Sequence, residues 1–158
     1  MSVTTGIGWD VHRLAEGRDL VLGGVRIDHD RGLEGHSDAD VLTHAVIDAL
    51  LGAAGLGDIG EHFPDTDESF RGADSLALLR DVVALLGSRE IVHVDVSVLL
   101  EKPKLAPHKE NIRDTLAGAL GVTRERVNVK ATTGERLGFV GREEGVAALA
   151  VATLAAPG

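Results

Sequence analysis

The chain has 158 residues, enough for one domain with a substantial core and too few for two. Apolar residues make up 44% and charged residues 26%, close to the globular average, which argues against a disordered tail or a fibrous repeat. Sixteen Lys plus Arg against 25 Asp plus Glu leave a formal charge of −9, an acidic balance unsuited to nucleic acid or an anionic membrane surface.

The N-terminal MSVTTGIGWD lacks the basic and apolar regions of a signal peptide. No apolar run approaches the ~18 residues of a membrane helix. Val3 to Asp10 reads as a strand, as does Leu20 to Ile27, with a bulge or bend at Gly23-Gly24. Val41, Leu42, Ala45, Val46, Ala49, Leu50 and Ala53 follow helical spacing, and Ser37, Asp38 and Asp40 stand before them as a capped start requires. A second helix is expected from Leu76 to Leu86, with Asp74 or Ser75 as cap and Gly87 as stop. Ile91 to Leu100 alternates as a half-buried strand, with Val92, Val94, Val96 and Val98 on one face. A third helix fits Lys109 to Leu120, with Pro107 before it and Gly121 at its end. Arg126 to Ala131 and Val146 to Leu154 complete the strands. With no repeat or linker, the expectation is one α+β domain over 1–158, a mixed β-sheet with helices packed on one face.

Three segments point to chemistry. Asp10 and His12 are two apart, so a strand projects both to one face. His36-Ser37-Asp38-Ala39-Asp40 and His44 pack two imidazoles and two carboxylates around a helix start. Asp40, His44 and Asp48 form an i, i+4, i+8 row beside the apolar stripe, so Asp40 or Asp48 is expected to orient the His44 ring. Asp10, His12 and His44 together offer one oxygen and two nitrogens. With no cysteine in the chain, that set describes a working zinc site with an open fourth position. Asp and two His also suit other divalent transition metals.

Gly55-Leu56-Gly57-Asp58-Ile59-Gly60 and Lys130-Ala131-Thr132-Thr133-Gly134-Glu135 carry the N–H groups, hydroxyls and cation that hold phosphates, and Glu135 could hold Mg²⁺ or Mn²⁺. Neither is a P-loop. Lys102 to His108 is a stiff, basic stretch between two prolines, and Leu137 to Arg142 is an apolar loop with one cation. His29, His62 and His93 read as structural or solvated. The aromatics are Trp9, Phe63, Phe70 and Phe139, too few for base stacking on a single strand. Two other functions fit these residues. One is a metal-dependent phosphohydrolase using His36 or Asp38 as base, the other a binding module for phosphorylated metabolites or isoprenoids.

The stretches GWDVHRL, HSDADVLTHAVIDALLGAAGLGDIGEHFPDTD, RGADS, KPKLAPH and VNVKATTGERLGFVGREEG, in this order from residue 8 to 145, resemble the 2-C-methyl-D-erythritol 2,4-cyclodiphosphate synthase family. The resemblance implies a homotrimer with active sites at subunit interfaces, and the absence of cysteine fits a cytoplasmic protein. It implies the conversion of 4-diphosphocytidyl-methylerythritol 2-phosphate to the cyclic diphosphate, with release of CMP. It makes Asp10, His12 and His44 the zinc ligands and Glu135 the contact to Mg²⁺ or Mn²⁺, while His36 and Thr133 stabilise the transition state. Ser37, Asp58, Ile59, Gly60 and Asp65 would hold the methylerythritol and phosphate parts. Lys104, Leu105, Ala131, Thr132, Gly134, Phe139 and Arg142 would contribute to the rest of the substrate pocket. Gly134 stands where the family often has a hydroxyl residue, and Trp9 replaces a smaller aromatic, a change expected to affect packing only.

Overall fold

The structure, a computed structural model, describes residues 2–157. Seven strands and three long helices account for most of it. The strands are β1 (Val3–Glu16), β2 (Leu20–Leu22), β3 (Val25–Ile27), β4 (Arg31–Glu34), β5 (Glu90–Leu99), β6 (Val127–Thr132) and β7 (Gly145–Ala155). The helices are α1 (Val41–Ala54), α2 (Ile59–His62), α3 (Ser75–Leu85), α4 (Lys109–Leu120) and α5 (Gly138–Gly141), of which α2 and α5 are single turns. A five-stranded sheet runs β4-β1-β7-β5-β6, antiparallel except for the parallel β5–β6 pair. This is the expected α+β domain with a mixed sheet.

The even-numbered residues of β1 face α1. Gly6 and Gly8 sit there because the helix leaves no room for a side chain. A Cβ at Gly8 would come within 1.8 Å of the Ala45 carbonyl oxygen, and one at Gly6 within 2.0 Å of that of Ala49. The same even row continues to Asp10 and His12, so the close approach of α1 also decides what stands beside them. Helix α1 is buried along most of its length, with Leu42, Val46, Ile47, Leu50 and Leu51 in the core. It is therefore a central helix rather than the one-sided helix its spacing suggested.

The opposite face of the sheet is uncovered. Ile7 is 69% exposed and Trp9 53%, and Val11 and Val151 are also open. These residues adjoin across the β1–β7 pairing, which sets Ile7 opposite Val151 and Trp9 opposite Leu149. Trp9 thus stands on an apolar open face instead of packing within the chain.

Several elements differ from expectation. The first strand runs on to Glu16, so Asp10 and His12 lie inside it and not at its end. Leu20 to Ile27 is a hairpin rather than one bent strand. Gly23 and Gly24 form its two-residue turn, with φ of 59° and 75°, the left-handed pair that such a turn requires. Val92 is exposed because a register shift between Ile91 and His93 moves Ile91 to the core side, while Val94, Val96 and Val98 stay buried. Strand β4 and the single turns α2 and α5 are too short to show a period. Helix α4 matches its expected bounds, and the ends of α3, β6 and β7 shift by one residue, within ordinary end variation.

Candidate metal centre and flanking cavities

Strand β1 supplies Asp10 and His12, and the first turn of α1 supplies His44, held against the strand by the Gly8–Ala45 contact. Asp10 Oδ2 lies 3.0 Å from His12 Nε2 and 3.1 Å from His44 Nδ1. The two ring nitrogens are 3.4 Å apart. A tetrahedral zinc ion with ligand bonds of ~2.0–2.1 Å keeps its donors ~3.3 Å from one another, so this triangle fits such an ion. The three residues form a group able to hold a metal ion.

The electrostatics follow from the same contacts. Burial would raise the Asp10 carboxyl, but hydrogen bonds and charge from His12 and His44 outweigh it and bring it down to about 2. Burial would lower His12, yet the Asp10 carboxylate and the Glu34 carbonyl outweigh that and raise it above its ordinary value. His12 Nδ1–H donates to that carbonyl at 2.9 Å, leaving Nε2 directed at the cluster.

The His44 ring is not oriented by Asp40 or Asp48, contrary to the helical-row expectation. Asp40 is fully buried and caps α1. Its carboxylate accepts from Thr43 N and Oγ1 and from Gly23 N and Gly24 N, tying the hairpin turn to the helix. Burial pushes its carboxyl up, with the N–H groups of Thr43, Gly24 and Gly23 opposing. Asp48 accepts from Ile59 N at 2.8 Å instead. His44 Nε2 meets Ser75 Oγ at 2.8 Å, a partner the sequence reading missed. Asp38, considered as a general base, is bonded to Ser75 through its side chain.

The cluster lines a cavity of about 420 Å³ that also exposes His36, Ser37, Ile59, Gly60 and Asp65. His36 Nε2–H donates to the Asp67 carbonyl at 2.9 Å. Asp58 stands just outside, capping α2 through Glu61 N. The N–H of Ile59 is taken by Asp48, so the glycine-rich segment offers fewer free donors than expected.

The other predicted residues lie elsewhere. Lys104, Leu105, Ala131, Thr132 and Thr133 line a second cavity of about 260 Å³. Val11 pairs with Ala147, Ala147 with Leu99 and Leu99 with Thr132, so both cavities lie toward one end of the sheet. They are three strand spacings apart, ~14 Å at ~4.8 Å each. His36 and Thr133 therefore do not share a cavity within one chain.

Lys130, expected to offer a cation, pairs with Asp95 at 2.7 Å on the open sheet face. Glu101, which the sequence reading also missed, holds the segment after Thr133 by accepting from Gly134 N and Arg136 N at 2.9 and 3.2 Å. A Cβ at Gly134 would lie 2.7 Å from Gly141 N, which accounts for a glycine there. Glu135 is exposed in that turn. Phe139 lines a small hollow beside Val11 and His12, and Arg142 pairs with Glu144. A further cavity, between the ends of α3 and α4, holds none of the predicted residues.

Known proteins share both the sequence and the fold of this chain. The model of the YgbB family matches residues 3–155. The 2-C-methyl-D-erythritol 2,4-cyclodiphosphate synthase of Salinibacter ruber is 62% identical, covering 94% of this chain and 96% of its own. Among solved structures, the bifunctional IspDF of Campylobacter jejuni superposes with a TM-score of 0.93 at 46% identity; 97% of this chain aligns but only 42% of that longer one. A CDP complex of IspF from Plasmodium falciparum gives a TM-score of 0.87 at 30% identity, covering 99% and 98% of the two chains. The chain belongs to the YgbB family.

Proposed function

We propose that the chain, taken as one cyclodiphosphate-synthase domain over 1–158, is a cytoplasmic phosphorus–oxygen lyase of isoprenoid precursor biosynthesis. It converts 4-diphosphocytidyl-2-C-methyl-D-erythritol 2-phosphate to 2-C-methyl-D-erythritol 2,4-cyclodiphosphate and CMP. The observation that carries this reading is the near-full-length identity to a synthase of that name. An oxygen of the substrate's own 2-phosphate bonds to the β-phosphorus, the bond from that phosphorus to the bridging oxygen breaks, and CMP leaves with the electron pair. The attacking group comes with the substrate, so the protein supplies position and charge rather than a nucleophile.

Asp10, His12 and His44 hold Zn²⁺ or another divalent transition metal, and Glu135 holds Mg²⁺ or Mn²⁺ at the diphosphate. When bound, these cations supply Lewis acidity and a template for the two phosphates. Ser37, Asp58, Ile59, Gly60 and Asp65 bind the methylerythritol end. Lys104, Leu105, Ala131, Thr132 and Gly134 bind cytidine and diphosphate, with Phe139 and Arg142 as further substrate contacts. His36 and Thr133 stabilise charge on the reacting phosphates. The chain assembles as a homotrimer, supported by the open apolar face around Ile7 and Trp9 and by the distance between the two cavities.

The test is incubation with the cytidyl substrate, zinc and Mg²⁺, followed by ³¹P NMR. A cyclic diphosphate plus CMP is expected. A linear phosphate product would contradict the reading and favour a phosphohydrolase.

A further inference from the structure

His44 directs Nδ1 at Asp10 and His12, and only one neutral tautomer leaves that nitrogen with a free lone pair. Asp10 Oδ2, 3.1 Å from Nδ1, draws the proton to that nitrogen while no ion is bound, so an acceptor at Nε2 is what lets the proton sit there once Nδ1 ligates. Nε2 lies 2.8 Å from Oγ of Ser75, a residue with no solvent exposure, and that Oγ contacts Asp38 Oδ1. Asp38 also accepts Ser75 N–H at 2.9 Å and Asp40 N–H at 3.2 Å. A carboxylate only accepts hydrogen bonds, so the Ser75 hydroxyl proton turns toward Asp38. The Ser75 oxygen is then left to accept, and His44 Nε2–H donates to it. Ser37 Oγ, at 3.3 Å from Nε2, is a longer contact and already accepts Ala39 N–H.

We propose that Ser75 and Asp38 are positioning residues of the metal centre: the chain His44–Ser75–Asp38 fixes the tautomer and angle that present His44 Nδ1 to the ion. The inference rests on the metal-binding reading of Asp10, His12 and His44. The local fold holds the chain in place. Ser75 opens α3, Asp38 precedes the cap of α1, and the two helix starts are joined by Asp38 N–H to the Ala73 carbonyl and Gly72 N–H to the His36 carbonyl. His12 reaches the same end through a backbone carbonyl, which no side-chain substitution can remove. His44 depends on two side chains, so its half of the site can be tested by mutation.

The test measures zinc affinity by competition with a chromophoric chelator, together with NMR of the His44 Nε2–H and its exchange with solvent in the zinc-loaded protein. In the zinc-loaded wild type, His44 carries its proton on Nε2, held by Ser75 and slow to exchange with solvent. Ser75→Ala weakens zinc binding ~10–100-fold, in line with other partners of metal-bound histidines, and Ser75→Thr, which keeps the hydroxyl, restores it. Asp38→Asn lets an amide N–H donate to Ser75 and turns the hydroxyl proton toward Nε2, so Nε2–H loses its acceptor and zinc binding weakens ~10-fold or more. Unchanged zinc affinity in folded Ser75→Ala overturns the proposal, as does a zinc-loaded wild-type Nε2–H that exchanges as freely as an exposed imidazole proton. If Ser75→Ala does not fold, the zinc affinity of Asp38→Asn and the exchange of the wild-type Nε2–H decide: wild-type affinity in Asp38→Asn overturns the proposal. A wild type that binds no zinc, or binds it equally well after His44→Ala, overturns the metal centre itself.

Discussion

The two cavities toward one end of the sheet differ in how complete they are. On the metal side, three donors already stand 3.0–3.4 Å apart, bonded to one another and backed by Glu34 and Ser75. On the other side, Lys104, Ala131, Thr132 and Thr133 are exposed, and the neighbouring Lys130 is turned away to Asp95. One helix lying on one strand is enough to gather three metal ligands. A substrate carrying cytidine at one end and a phosphorylated tetrol at the other has to reach both regions, and ~14 Å of sheet separates them in one chain. The metal half is a property of the folded chain, whereas the proposed reading sets the cytidyl half of one copy opposite the metal half of another.

The strongest way to break this contrast is to separate helix from strand. Gly8→Val places a side chain where even a Cβ would meet the Ala45 carbonyl oxygen at 1.8 Å. Overpacking of this kind costs ~1–3 kcal/mol or more, so the melting temperature falls by ~5–10 °C and zinc is no longer retained. A normal melting curve with full zinc content would contradict the account. Next in size is Trp9→Glu, which sets a charge on the open apolar face. Sedimentation is expected to show loss of the oligomer and turnover to collapse, while zinc per chain stays constant. Retained turnover in a monomer would remove the need for a second copy.

Gly134→Thr sharpens the other half. The loop packs against Gly141, so a side chain displaces Thr133 and Glu135. KM for the cytidyl substrate is expected to rise ~10-fold, the scale of ~1–2 kcal/mol of strain, with zinc affinity unchanged. An unchanged KM would show that the loop yields freely.

The smallest effect is in pH. In the metal-free chain, Asp10, held at about 2, contributes stability that is present above its ordinary value and lost as pH falls toward 2. His12, raised, contributes stability that is full below its ordinary value and lost as pH rises through its folded one. Zinc has to displace the His12 proton, so its effect runs the other way. The gain in melting temperature on adding zinc should grow from about pH 5.5 to about pH 8. A flat or opposite trend would exclude His12 as a ligand.

The metal trio was legible in the sequence because it uses two local periods. Alternation in a strand places Asp10 with His12, and the capped start of a helix marks His44. The family resemblance carried the remaining candidate residues, and the long elements were legible from hydropathy. What surrounds His44 was not legible. Asp40 occupied the right helical row, yet the Gly23-Gly24 turn claims its carboxylate from a distant part of the chain. Ser75 showed only as a helix cap, and its contact with His44 exists only once α3 packs on α1. Glu101 carried no local signal, since its partners lie 33 and 35 residues away. The outward turn of Val92 depends on a bulge that perfect alternation conceals.

The central claim is that a working site takes its metal half from one chain and its cytidyl half from another. The direct measurement mixes two inactive variants, His44→Ala and Glu135→Ala, under conditions where subunits exchange, and assays CMP release. Each alone lacks one half at every site, but mixed oligomers contain interfaces that join an intact metal half to an intact Glu135. The account predicts that activity returns on mixing and rises with the extent of exchange. A mixture that exchanges subunits and stays as inactive as its two parents would contradict it.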